Sequence, residues 1–203
     1  MYKQGCWCLG IGILAMLLSS CLSEVWTGAS LVYDRHNVYR KWDDFQLGAN
    51  GNRALYRDNL FKRDDCAIDL AVFHGDFLLA GRVPTLALRE EAYERVHELR
   101  EYRRLFNQLE VSRKPEDALQ DRWITAKIRS QIFADSSLDP HMFKVVTSMQ
   151  IVYLMGDVFP ADGARVIQIA RSCVGVKRVV TLFKYYNLSD HPAESLSMDK
   201  KKA

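Results

Sequence analysis

Between residues 121 and 133 the chain reads DRWITAKIRSQIF, with Ile124, Ile128 and Ile132 recurring every fourth position. That spacing predicts an amphipathic helix with a narrow apolar seam. Trp123, Lys127 and Ser130 fall together on a neighbouring face, so an indole stands beside an ammonium away from the seam. After this helix the pattern shortens to β-prone runs, FKVVTSM and IVYLMGDV. A helical stretch follows at about Ala161–Ser172, then a strand at VKRVVTLFKYY. The same order occurs earlier. A polar helical stretch near Asp44–Arg57 leads to CAIDLAVF, a tight turn at HGD, FLLAGRV, a helix at about Leu86–Arg103 and a strand at RLFNQLEV. The chain therefore uses helix, strand, strand, helix, strand twice. The predicted fold class is α+β, two tandem αββαβ domains, each a small mixed three-stranded sheet packed on two helices.

Punctuation along the chain refines this plan. Gly81 and Gly156 occupy equivalent places and are expected to end the second strand of each copy, with Val83-Pro84 closing the first hairpin. Arg89, Arg95 and Arg100 alternate with Glu90, Glu91, Glu94 and Glu98, which suits a solvated helix face. Gly48 and Gly51 lie in the first helix, each costing up to about 1 kcal/mol relative to alanine, and predict a short or bent element. The boundaries expected are 41–115 for the first domain and 120–188 for the second, with RKPEDALQD as linker. Residues 21–40 read as a partly ordered tether, and the polar residues 189–203 as a disordered tail.

The N-terminus is of another kind. Lys3 is the only charge before residue 24, Cys8 to Leu18 is apolar, and Ser19, Ser20 and Cys21 follow. This is the layout of an export signal over residues 1–20; its apolar core falls short of the roughly 20 residues a membrane span needs. Leu18–Cys21, LSSC, resembles the bacterial lipobox, in which the cysteine thiol takes a diacylglycerol and becomes the first mature residue. Acyl chains on Cys21 would hold the chain on a bilayer, each buried methylene contributing about 0.8 kcal/mol. Leu22 stands where Asp commonly retains such proteins in the inner membrane. The expected location is therefore the outer membrane, lipid-anchored and facing the periplasm.

The formal charge is only +3, but it is unevenly spread. Residues 41–118 hold 13 Lys+Arg against 15 Asp+Glu, whereas residues 121–188 hold 9 against 5. The basic excess lies in the half that carries the opening helix. Of the five cysteines, Cys66 and Cys173 remain after the signal and Cys21. The periplasm permits a bridge between them, but two separate buried thiols are the favoured reading. His36, His74, His97, His141 and His191 show no recognised metal-ligand spacing, and His74 and His97 read as solvated. There is no phosphate loop outside the signal and no nucleophile elbow. Asp43-Asp44 and Asp64-Asp65 read as helix-start and loop charges. The reading is a protein that is not an enzyme and has no cofactor and no metal site.

Two αββαβ units behind a lipobox resemble tandem BON-domain outer-membrane lipoproteins. WITAKIRSQIF, VYLMG and GVKRVVTLF carry the resemblance in the second unit, and the first is more distant. Met149-Gln150 stands where the family has an Asn-Gly-like turn, which predicts a longer or differently shaped hairpin loop. The resemblance implies support of outer-membrane integrity and binding of anionic phospholipid through the second domain, at Trp123, Lys127 and Arg129. It also implies association with the outer-membrane protein assembly machinery. A protein-binding adaptor or chaperone-like factor is the alternative, because Trp and Arg also concentrate in protein hot spots; nucleic acid is a poor partner for an exported chain. A further alternative places Trp123 in the core.

Overall fold

The computed structural model describes residues 34–114 and 117–186. The signal, Cys21 and the polar tail lie outside the described residues. Helix α1 (Asp34–Leu55) leads to β1 (Ala67–Phe73), β2 (Asp76–Val83), α2 (Leu86–His97) and β3 (Arg104–Val111). The second pass runs α3 (Ala118–Ala134), a 3-10 turn (Pro140–Met142), β4 (Phe143–Ser148), β5 (Ile151–Val158), α4 (Pro160–Ser172) and β6 (Arg178–Tyr185). Both modules lie in one compact unit that begins at Arg40. In each module the first two strands form an antiparallel hairpin, and the third joins the second strand in parallel through the crossover helix.

The predicted elements are all present, and several local expectations need correction. First, α1 is not short: it runs uninterrupted over 22 residues. A Cβ on Gly51 would stand 2.8 Å from both Leu70 Cδ1 and Phe77 Cε1, so the glycine lets the helix lie close on its sheet. Gly51→Ala gains about 1 kcal/mol of helix propensity and meets overpacking of about 1–3 kcal/mol against a buried ring. A net loss near 1 kcal/mol is expected, read as a lower urea midpoint. Second, α2 stops at His97 because the chain turns, with Arg100 in the left-handed region at φ 55°. Third, Gly81 and Gly156 lie inside β2 and β5, which run on to Val83 and Val158. Their added Cβ atoms would stand 2.1 Å from Ala67 O and 2.5 Å from Met142 O.

Fourth, Arg95 is buried rather than solvated. Its guanidinium donates to Asp58 at 2.8 and 3.1 Å, to Glu91 at 2.7 Å and to Leu55 O at 2.9 Å, fastening α2 to the end of α1. Fifth, Met149-Gln150 makes no longer loop. It is a two-residue turn with φ 54° and 64°, the same form as His74-Gly75 with φ 50° and 79°. Such type I′ turns match the twist of a hairpin but favour Asn-Gly.

Ile124, Ile128 and Ile132 form the expected seam against β4 and β5, with Val152, Leu154, Val158, Val166 and Phe183. Phe77, Leu79, Val83, Ala92, Val96 and Leu109 form the matching core of the first module. The helices cover only one face of each sheet. On the other face Ala71, Leu78 and Ala80 meet Ile151, Tyr153, Met155 and Leu182, so the two sheets pack against one another. Every residue of β2 and β5 is consequently buried. Burial on both sides is why these strands read as nearly continuous apolar runs rather than as alternating ones.

Candidate functional site

Helix α3 is held from both sides of its inner face. Asp117 caps its N-terminus by accepting from Gln120 N at 3.0 Å. One turn on, Asp121, only 3% exposed, accepts from Met149 N at 2.8 Å and Gln150 N at 2.7 Å. Asp44 does the same for the first module, accepting from His74 N at 2.7 Å and Gly75 N at 2.8 Å. Asp44 is therefore a turn clamp, not a helix-start charge. Thr125 donates to Thr147 Oγ1 at 2.8 Å, tying the middle of α3 to β4.

With the isoleucines and Asp121 turned inward, the outer face is fixed. Trp123 is 51% exposed, Leu119 78% and Phe133 79%. Trp123 is thus outside the core. At about 100° per residue, Leu119, Trp123 and Phe133 make a broad apolar ridge along the solvent side. Lys127 flanks the ridge next to Trp123; Arg122 and Arg129 flank it on the opposite side. All three bases are exposed. None forms an ion pair among the described residues. The structure therefore places Trp123 beside Lys127, as the spacing indicated, and Arg129 across the ridge from them. Leu119, Phe133 and Arg122 complete a surface that the sequence reading left incomplete. The signal was present: these apolar residues lie off the isoleucine seam on a helix that begins three residues before 121.

A second cluster lies where the modules meet. Arg103 donates to Asp76 at 2.7 and 2.6 Å and to Asp157 at 2.9 and 2.8 Å. Arg104 pairs with Asp76 and donates to Leu182 O at 3.2 Å. His74 Nδ1 lies 3.2 Å from Asp157, so this histidine is a module-junction residue, not a solvated one. Burial pushes the Asp157 carboxyl up, but the hydrogen bonds and charges of His74 and Arg103 more than offset this and hold it well below the usual range. Burial drives the Tyr153 phenol up to about 12; its hydroxyl donates to Gln108 O at 3.4 Å across the junction. These charges satisfy one another, so the cluster joins the modules. Cys66 and Cys173 are free thiols, and burial pushes both upward.

Residues 120–186 match the family model of the BON domain, and they span α3 to β6. The second module is therefore similar to the BON domain. The match ends where the second αββαβ unit ends, and the first unit repeats its topology as a BON-like module. The chain is 26% identical over 176 residues to the outer membrane lipoprotein DolP of Haemophilus influenzae, covering 84% of this chain and 91% of that protein. It is also 26% identical over 125 residues to a 21 kDa hemolysin of Actinobacillus pleuropneumoniae, covering 61% of this chain and 64% of that one. The exposed ridge belongs to the first helix of the matched BON domain.

Proposed function

We propose that this protein is an outer-membrane lipoprotein, anchored through Cys21 and facing the periplasm, whose second BON domain docks on anionic phospholipid and supports membrane integrity without catalysis. The observation that carries the reading is the outer face of α3: an exposed apolar ridge edged by Lys127, Arg122 and Arg129. Leu119 and Phe133 stand at the two ends of the helix, about 21 Å apart along its axis at 1.5 Å per residue, which suits a helix lying flat on a surface. Indole prefers the headgroup boundary, and each base near an anionic surface contributes about 1 kcal/mol. Contacts of this size are weak for a free domain. A lipid on Cys21 raises their effective concentration until they count. Similarity to a protein named outer membrane lipoprotein DolP, together with the Leu18–Cys21 lipobox, supports the anchor.

The test is flotation of the leaderless chain, residues 22–203, with vesicles of phosphatidylglycerol or phosphatidylcholine. Binding is expected only to the anionic vesicles and to weaken with salt. Trp123→Ala is expected to lower it at least fivefold while stability changes by less than about 0.5 kcal/mol, as for an exposed position. Unchanged flotation by Trp123→Ala and by Lys127→Glu with Arg129→Glu would overturn the surface and favour a protein partner. Palmitate labelling that survives Cys21→Ala would overturn the anchor.

A further inference from the structure

The two modules allow a comparison within one chain. Asp44 and Asp121 clamp equivalent hairpin turns, and with these two superposed, Leu47, Gly51 and Leu55 of α1 match Ile124, Ile128 and Ile132 of α3. Asn50 then stands for Lys127, Asn52 for Arg129 and Phe45 for Arg122. The bases that edge the α3 ridge have no counterpart in α1. Arg53 lies two turns beyond Gln46 and donates to Asn50 at 3.1 Å. The apolar character is nevertheless retained: Trp42 is 58% exposed and Phe45 68%, with ring centroids 6.0 Å apart. At about 100° per residue, only Gln46 separates Trp42 from a groove along the flank of α1. That groove holds about 560 Å³. Arg103 lines it but is spent on Asp76 and Asp157, and His74 is engaged with Asp157. Asp43, Asp44 and Glu101 therefore face it with Lys184 as the opposing charge. Asp43 and Glu101 are exposed and form no ion pair among the described residues.

We propose that the outer face of α1 docks a basic amphipathic segment of another protein, its apolar residues over Trp42 and Phe45 and a Lys or Arg of it in the groove with Asp43 and Glu101. Exposed aromatic rings beside a concave, charged flank are the usual anchors of a protein interface, where Trp in particular carries binding energy. An amphipathic helix presents anchors one turn apart, which matches the spacing of Trp42 and Phe45. The charge decides the class of partner. Carboxylates beside the rings repel an anionic bilayer and attract a cationic segment, so the duplicated helix faces a different ligand in each module. The surface lies on the first module, so the lipid reading of α3 and this one fail separately.

The probe is a synthetic four-turn peptide of leucine and lysine at helical spacing, titrated calorimetrically into residues 22–203, with the same peptide carrying glutamate for lysine as its counterpart. Every described element is retained in that chain. Saturable one-to-one binding of the lysine peptide is expected, weakening with salt, and no binding of the glutamate peptide. Affinity is expected to fall at least tenfold in Trp42→Ala with Phe45→Ala and at least fivefold in Asp43→Asn with Glu101→Gln, and to stay unchanged in Trp123→Ala. All four substituted side chains are exposed, so an unchanged thermal midpoint is expected for both double variants. Absence of saturable binding would overturn the proposal, as would equal binding of the glutamate peptide. Affinity unaffected by either double variant would overturn the surface. Flotation with phosphatidylglycerol vesicles is run in parallel: a loss in Trp42→Ala with Phe45→Ala as large as in Trp123→Ala would assign the α1 rings to the bilayer and overturn the protein partner.

Discussion

Asp121→Ala is expected to lower the stability of the second module by about 3 kcal/mol, the sum of two lost charged hydrogen bonds and a strained turn left unsupported. The carboxylate accepts from both Met149 N and Gln150 N. Neither residue is a glycine, yet both stand at positive φ, at 54° and 64°. A side chain in that region costs about 1 kcal/mol or more, and it persists only where surrounding contacts over-determine it. Asp121 supplies those contacts from α3. The compensating experiment is specific: Met149→Asn with Gln150→Gly, made in the Asp121→Ala chain, restores residues suited to a type I′ turn. It is expected to recover at least about 1 kcal/mol. Urea denaturation of the three chains measures this. A loss below about 1 kcal/mol in Asp121→Ala would show that the turn is held by its strands instead.

Arg103→Met is expected to cost about 3 kcal/mol at neutral pH, because it leaves a buried carboxylate without its principal partner. Asp76 keeps Arg104, whereas Asp157 keeps only His74. The pH dependence follows from the direction of the Asp157 shift. Its folded-state carboxyl is held below the usual range, so the stability it contributes is fully present above the unfolded value near 3.9. That contribution is lost as pH falls from there toward the folded value. Thermal midpoints of the unaltered chain are therefore expected to hold between pH 7 and 5 and to fall below about pH 4. The gap between it and Arg103→Met should narrow over the same range. A gap independent of pH would show that the methionine acts through packing alone.

The element order was legible because each module repeats it and because period carries the information. Ile124, Ile128 and Ile132 recur at helical spacing, and IVYLMGDV reads as a strand from its length of eight, its β-branched residues and the turn signals around it. Trp123 and Lys127 were legible as neighbours from their spacing of four. Apart from the end of α2, where the chain turns locally at Arg100, the misread features involve atoms distant in sequence. Gly51 looked like a weakness in a helix until Phe77 was placed against it. Met149-Gln150 looked wrong for a tight turn because its support comes from Asp121, 28 residues earlier. His74 looked solvated because its partner, Asp157, belongs to the other module.

By itself, the sequence determined two αββαβ modules, the inward seam of α3 and the basic bias of the second half, since periodicity and local charge act over a few residues. Only the tertiary structure decided that the two sheets cover one another, that Arg103 joins the modules, and that Leu119 and Phe133 share the outer face with Trp123. The physical reason is that burial and ion pairing depend on which surfaces meet after the chain closes, and no local pattern encodes the partner of a surface.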